Sequence, residues 1–405
     1  MRRRLVRLDR KTLNQAFFFK ILVLGALSGI GPLTIDMYLP TLPEISRHFA
    51  VPLSTVELSL AAYFLGLALG QLLYGPFIDR FGRKQPLYFG LALYFVSSLA
   101  CLFAPSVTVL ILARFTQAIG GCASVVVPRT IVRDLFEERE AARVFSLLML
   151  VTGLAPILAP LLGGYLSLAF GWRAIFLCLV IASALCIGAT YLVLPETKKP
   201  AGNPAHQPAF RTYWSILRDK RFLGPALAGS VAQAGMFAYI TGSPFVFIEL
   251  FGVRPDRYGW IFGTNALLLI AMSQLNVKLL KHFPPQKILK TVFPLLALAS
   301  ILLLLASVFN LGLFAHIVPL ALFVGLLGAS FPNTTAAALA HEGARAGSAS
   351  ALLGTMQFTI AAIAATTLSA LHASSSLPMA TVIGICGVGS FVISRFVFQA
   401  ALSRP

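Results

Sequence analysis

The sequence predicts an all-helical membrane protein with twelve transmembrane helices in two pseudo-symmetric halves of six. Three observations carry that expectation. First, 58% of the 405 residues are hydrophobic and only 11% are charged, with a mean hydropathy of +0.84. Soluble domains carry about 25% charged residues, so lipid is the solvent that suits this chain. Second, apolar segments close to the ~20 residues needed to cross a bilayer recur along the whole length, without the alternation of a transmembrane barrel. Third, the basic residues sort onto one side of these segments.

The segments fall near 18–40, 56–77, 86–104, 108–128, 144–169, 173–194, 223–249, 258–279, 288–309, 313–335, 347–371 and 378–400. The first follows "MRRRLVRLDRK", a basic leader like that of a signal peptide. It lacks a small-residue cleavage site and more spans follow, so it is expected to be a retained helix. Pro40 and Pro43 are expected to mark where it ends. The second segment runs into the turn "GPFIDRFGRK", Gly75 to Lys84. The fourth contains "RFTQAIGG", Arg114 to Gly121, and the fifth, "MLVTGLAPILAPLLGGYL", carries Pro156 and Pro160 four residues apart on one face. The longest polar connection is "PETKKPAGNPAHQPAFRTYWSILRDKR", Pro195 to Arg221, rich in proline and charge. It divides the chain into an N-terminal half (1–194), a central loop (195–222) and a C-terminal half (223–405). "GQLLYGPFIDRFGRKQPL" (Gly70–Leu87) has a faint echo in "SQLNVKLLKHFPPQKIL" (Ser273–Leu289), which suggests related halves with a midplane site between them.

The formal net charge is +18, a value that in a soluble protein points to nucleic acid. Here almost all of the 32 Lys and Arg lie in the N-terminal tail and the loops on its side. Arg47, Arg173, Arg254 and Arg257 fall on the other side, and Arg114 lies inside a span. The positive-inside rule then places both termini in the cytoplasm. The excess charge faces anionic headgroups, and no nucleic acid is expected as a partner. The five cysteines sit in apolar runs without disulfide or zinc spacing and read as small hydrophobes. No phosphate-binding loop and no metal-ligand spacing occurs, so neither ATP drive nor metal catalysis is expected and no cofactor is needed.

Several motifs carry a family resemblance. The turn with Gly75, Asp79, Arg80, Gly82, Arg83 and Lys84 resembles the signature loop of the major facilitator superfamily. "PLTIDMYLPTLPEIS" in span one, the span-five segment and "AGMFAYITGSPFVFIE" in span seven resemble the Bcr/CflA branch of drug/proton antiporters. The resemblance covers the chain from Pro32 into the last spans. It departs at Ala159-Pro160, where the family's span-five motif has Gly-Pro, and at Ser28, near which some relatives carry a further acid. It implies an inner-membrane, monomeric, proton-coupled exporter of small hydrophobic drugs by alternating access, and not an enzyme. An exporter of a metabolite such as an amino acid, or a receptor or scaffold that transports nothing, are the other readings.

A charge at the centre of a membrane helix costs about 2.5–3.5 kcal/mol even on mild scales, so buried ionisable groups are candidates for function. Two lie well inside the spans as drawn, Asp36 and Arg114; Glu249 falls at a span end and reads as interfacial. At 1.5 Å per residue, Asp36 is expected about 6 Å and Arg114 about 10 Å below the outer surface, depths at which the two could be partners, either as a static pair that fixes helix packing or, as the resemblance implies, as a proton-sensitive pair facing the cavity. A carboxylate suits proton coupling because its protonation answers to desolvation and to nearby cations, whereas Arg does not deprotonate. Gln117 follows Arg114 on the same helical face. Gly153, Pro156, Pro160, Gly163 and Gly164 are expected to form a bent or closely approached helix at the interface of the halves. Tyr38, Gln117, Met236, Tyr239 and Gln357 are the candidate substrate contacts, because adaptable Met and aromatic side chains suit varied hydrophobic ligands.

Overall fold

The computed structural model describes residues 10–197, 209–342, 345–371 and 374–395. The basic tail before residue 10 and the middle of the central connection lie outside these, as does the side chain of Asp79. The described residues form fourteen α-helices: α1 (Arg10–Asp36), α2 (Leu42–Phe49), α3 (Leu53–Phe81), α4 (Lys84–Leu102), α5 (Val107–Leu135), α6 (Glu138–Phe170), α7 (Arg173–Val193), α8 (Ala209–Leu217), α9 (Lys220–Ser243), α10 (Pro255–Leu279), α11 (Pro285–Val308), α12 (Gly312–Leu339), α13 (Ala346–Ala370) and α14 (Leu377–Ile393). Eleven helical segments are long and apolar enough to cross a membrane; α14 is shorter, and the sequence after residue 395 lies outside the described residues.

In lipid every backbone polar group must be satisfied within the chain, which leaves helices as the only unclosed solution. The earlier helices pack largely among themselves: α1 lies on α5, α6 and α7, α3 on α5, and α4 on α5 and α7. In the later group α9 lies on α12, α13 and α14, α10 on α12, and α11 on α12 and α14. Two seams join the groups, α3 against α13 and α6 against α10.

The path of the first span differs from the sequence expectation. Pro40 and Pro43 do not end it. After Asp36 the chain passes through a 3-10 turn, Leu39–Thr41, and continues as α2 to Phe49. Both prolines occupy the first turn of the short helix that holds them, where the missing N–H would have no intrahelical partner. Asp36 therefore sits at a break within a segment that continues about 20 Å further along the chain at 1.5 Å per residue, much deeper than 6 Å. The first span of the second group has a matching irregularity, since α9 passes at Pro244 into a π-helical turn, Pro244–Leu250.

The break after Asp36 is held by α6. A Cβ at Gly163 would collide with the backbone carbonyl of Met37, and one at Gly164 would stand 2.6 Å from the carbonyl oxygen of Pro255 on α10. Gly153 faces Ile270 of α10 across the same seam. The glycines of the span-five motif thus let α6 fit between the break and α10, while Pro156 and Pro160 stay inside one continuous helix. Gly163→Leu is expected to disable transport and to destabilise the fold by roughly 1–3 kcal/mol, the usual range for overpacking. Thermal unfolding and flux in reconstituted vesicles check this; wild-type values for both would remove α6 from the account.

Candidate functional site

Arg114 is fully buried in the first group of helices, and its guanidinium is held by neutral partners. It donates to Gln117 Oε1 at 2.7 Å and to the Thr34 carbonyl at 3.2 Å. The rings of Tyr38 and Tyr63 lie on it, with centroids 4.6 and 4.3 Å from Cζ. Cation–π contacts of this kind gain strength when desolvated. A second layer fixes those partners: Gln117 Nε2 donates to Ser98 Oγ at 2.8 Å, Thr34 Oγ1 lies 2.5 Å from Tyr94 Oη, and Tyr38 Oη lies 2.8 Å from Ser59 Oγ. Tyr38 and Gln117, candidate substrate contacts by sequence, therefore both spend their polar ends on this network and are fully buried within the first group.

Asp36 makes no hydrogen bond to this network. Arg114 and Asp36 form no ion pair, and the expected pairing of the two is corrected accordingly. The reason is orientation: Arg114 turns into the packing of α1, α3 and α5, a choice of face that spacing along one helix does not reveal. The Asp36 side chain is 4% exposed, and among the described residues no hydrogen bond or salt bridge reaches its carboxylate. Three buried phenols stand within electrostatic range of it, Tyr63 of α3 and, across the interface, Tyr239 of α9 and Tyr258 of α10. Tyr63 stands about 15 Å along α3 from Leu53, half the ~30 Å hydrocarbon thickness. The carboxylate thus sits near mid-depth, at a helix break, facing the other group of helices. An ionised carboxylate buried without a partner is costly, and a proton or a cationic group on a ligand relieves that cost.

The facing wall comes from α9, α10 and α13. Tyr239 Oη accepts from Asn265 Nδ2 at 2.9 Å, and its ring stacks on Phe262 with centroids 5.3 Å apart. Tyr258 Oη lies 2.7 Å from Ser243 Oγ. Phe237 stands between Phe64 of α3 and Phe358 of α13, at 4.6 and 5.7 Å, an aromatic chain that crosses from one group to the other. Met236 is half-buried and Gln357 is buried beside this chain. On α9 and α10, Gln233 Oε1 and Asn265 Oδ1 are buried and have no protein partner. In native structures such groups call for a ligand or water.

The signature turn lies at the opposite end of α3. Gly82 ends α3 with φ of +88°, a conformation that favours glycine, and a Cβ there would stand 3.1 Å from the Glu196 carboxylate. Glu196 accepts from the backbone N–H groups of Arg83 and Lys84, both at 3.0 Å, and so caps the start of α4, where a negative charge suits the helix dipole. Arg83 Nε donates to Asp134 Oδ2 at 2.7 Å, and Thr197 Oγ1 donates to the same oxygen at 2.9 Å. The turn therefore ties together the basic ends of α3, α4, α5 and α7. Gly75 and Arg80 lie on the last turns of α3, with Arg80 over the Phe81 ring and Lys84 over that of Tyr88.

The Major Facilitator Superfamily profile matches residues 24–366. The chain belongs to that superfamily. Among its relatives, the uncharacterized MFS-type transporter YdgK of Bacillus subtilis is 35% identical over 373 residues, covering 90% of this chain and 92% of the relative. The Bicyclomycin resistance protein homolog of Haemophilus influenzae is 31% identical, with 95% and 97% covered. Multidrug resistance protein MdtL of Escherichia coli is 29% identical over 260 residues, with 64% and 66% covered. The fold is that of solved transporters: the partially occluded inward-open xylose transporter XylE superposes with a TM-score of 0.74 at 15% identity, covering 95% and 98% of the two chains, and a D-xylose–proton symporter with 0.72 at 16%, covering 94% and 98%. The protein is a multi-pass membrane transporter of the major facilitator superfamily, not an enzyme.

Sequence reasoning missed several residues of this transporter. Asp134 and Glu196 are separated from the signature turn by long stretches of chain, although the acids in "RDLF" and "LPET" directly after spans four and six were a usable signal. Tyr63 and Asn265 carried none. Glu57 falls one residue inside the expected start of span two at 56 and so reads as interfacial; the helix begins at Leu53, just after Pro52, which places Glu57 one turn inside it, 3% exposed.

Proposed function

We propose that this transporter is a proton-coupled exporter of drug-like molecules of the Bcr/CflA type, resident in the bacterial cytoplasmic membrane as a monomer with both termini and the signature turn in the cytoplasm. Two six-helix units, 1–194 and 223–405, joined by 195–222, alternate access to a central site. The observation that carries this reading is the buried, unpaired carboxylate of Asp36 at a helix break, facing Tyr239 and Tyr258 of the other unit. The names of the relatives, bicyclomycin resistance and multidrug resistance, support the drug-like substrate.

Asp36 takes a proton from outer water when the outer side is open. Neutral, it tolerates closure; opened to the cytoplasm, it releases the proton as the substrate arrives. Met236, Tyr239 and Gln357, with Phe237 and Phe358, supply an adaptable apolar wall. Arg114 and Gln117 hold the tyrosines around the acid rather than titrating themselves. The inward passage of one proton at 100 mV supplies about 2.3 kcal/mol, with any pH gradient added.

Transport in proteoliposomes with an imposed pH gradient tests the reading, using bicyclomycin, phenicols, sulfonamides and amino acids as the panel. Uphill drug movement that stops when the gradient is dissipated is the expected result. Flux of the same drugs that ignores the gradient would falsify proton coupling, and uphill movement of amino acids alone would make the substrate a metabolite.

A further inference from the structure

At the end of the bundle away from the signature turn, the α3–α13 seam holds a second buried carboxylate that the Asp36 site does not use. Glu57 belongs to one six-helix group, and its hydrogen-bond donor belongs to the other: Ser369 Oγ of α13 donates to Glu57 Oε2 at 3.4 Å and also to the Ala365 carbonyl at 3.0 Å. The contact crosses the interface that has to part when the transporter opens on that side.

The charged groups of every helix packed on α3 have other partners or lie elsewhere. On α2, Glu44 accepts from Ser167 Oγ and the Trp172 N–H, Arg47 pairs with Glu249, and His48 meets Arg173. Arg114 of α5 is held by Gln117 and Thr34. Lys84 of α4 and Lys220 and Arg221 of α9 sit at the basic ends of their helices, as do Arg129 and Asp134 of α5, while α13 carries no ionisable side chain. Among the described residues no cation compensates Glu57.

We propose that Glu57 is a second proton-binding site of the transport cycle, protonated whenever the α3–α13 seam closes on it and ionised when that seam opens to water. A carboxylate with one long hydrogen bond and no cation does not leave water as an anion without a large cost. A bound proton removes that cost and lets the carboxyl donate to Ser369 Oγ in return. The proton is taken from outer water and returned to it, so Glu57 adds nothing to the number of protons carried across. It ties closure of the outer side to outer pH. The proposal rests on the alternating-access reading above and is independent of Asp36.

The test is the distance between spin labels at Ser54 and Leu371, at the outer ends of α3 and α13, in a cysteine-free full-length background. In an Asp36→Asn background, which removes the other proton linked to closure, the closed population is expected to grow as pH falls, the closed-to-open ratio changing by up to about tenfold per pH unit for one linked proton. Adding Glu57→Gln should keep the seam closed at every pH. A double variant that still titrates, or an Asp36→Asn seam indifferent to pH, overturns the proposal. Ser369→Ala serves if Glu57→Gln fails to insert: loss of the closed-state acceptor should lower the closed population throughout the titration, and an unchanged population overturns the proposal. Should drug export prove independent of the proton gradient while the seam still titrates through Glu57, the export reading falls and the Glu57 site stands.

Discussion

Asp36→Asn is expected to reduce proton-driven drug export to the level of protein-free vesicles while leaving the protein folded and inserted. The substitution keeps the size and shape of the side chain and removes its ability to exchange a proton. The carboxylate has no hydrogen bond or ion pair to lose among the described residues, so a packing role predicts little effect and a carrier role predicts loss. Stability should not fall, because a neutral amide costs less to bury than an unpaired charge. Thermal unfolding in detergent beside flux in vesicles separates the two readings. Normal export by the variant removes Asp36 from the mechanism.

Arg114→Lys has the second largest expected effect, and of a different kind. The charge remains, but the planar fork that reaches Gln117 and Thr34 together does not, and an ammonium cannot lie flat between two rings as a guanidinium does. Leaving a buried acceptor unmet costs about 1–3 kcal/mol. The variant is therefore expected to be less stable by about that amount and to export at a reduced rate. Removing the charge with Arg114→Met should be worse on stability, since Gln117, Thr34, Tyr38 and Tyr63 all lose their common partner. If Arg114→Lys unfolds and transports like the wild type, the network around Tyr38 and Tyr63 carries no load and Asp36 is positioned by something else.

The existence and order of the spanning helices were legible because burying apolar residues in lipid needs only composition and length, and both are written along the chain. The path of the first span was not, because a proline ends a helix only when it falls in the interior. At Pro40 and Pro43 the backbone had already broken, just past Asp36, and the prolines start new turns. A span ending at these prolines would hold Asp36 only about 6 Å below the outer surface, close to the depth expected for Arg114. The two acids that complete the signature turn, Asp134 and Glu196, come from far along the chain and meet only through the packing of α5 and α7 on α4. Spacing placed Gln117 on the Arg114 face, and the two are bonded, but it did not say that this face is turned inward and buried. Glu57 carries little signal because it stands at the edge of the apolar run, where a charge resembles a loop residue, while the helix itself begins four residues earlier at Leu53.

In the proposed cycle proton and drug compete for one carboxylate at mid-depth. The most direct measurement is proton release on adding substrate to purified protein in weakly buffered detergent solution, compared with the same titration of Asp36→Asn. The account predicts that drug binding releases protons from the wild type and none from the variant. Equal release from both, or drug binding to the wild type with no release at a pH where protons drive transport, would contradict it.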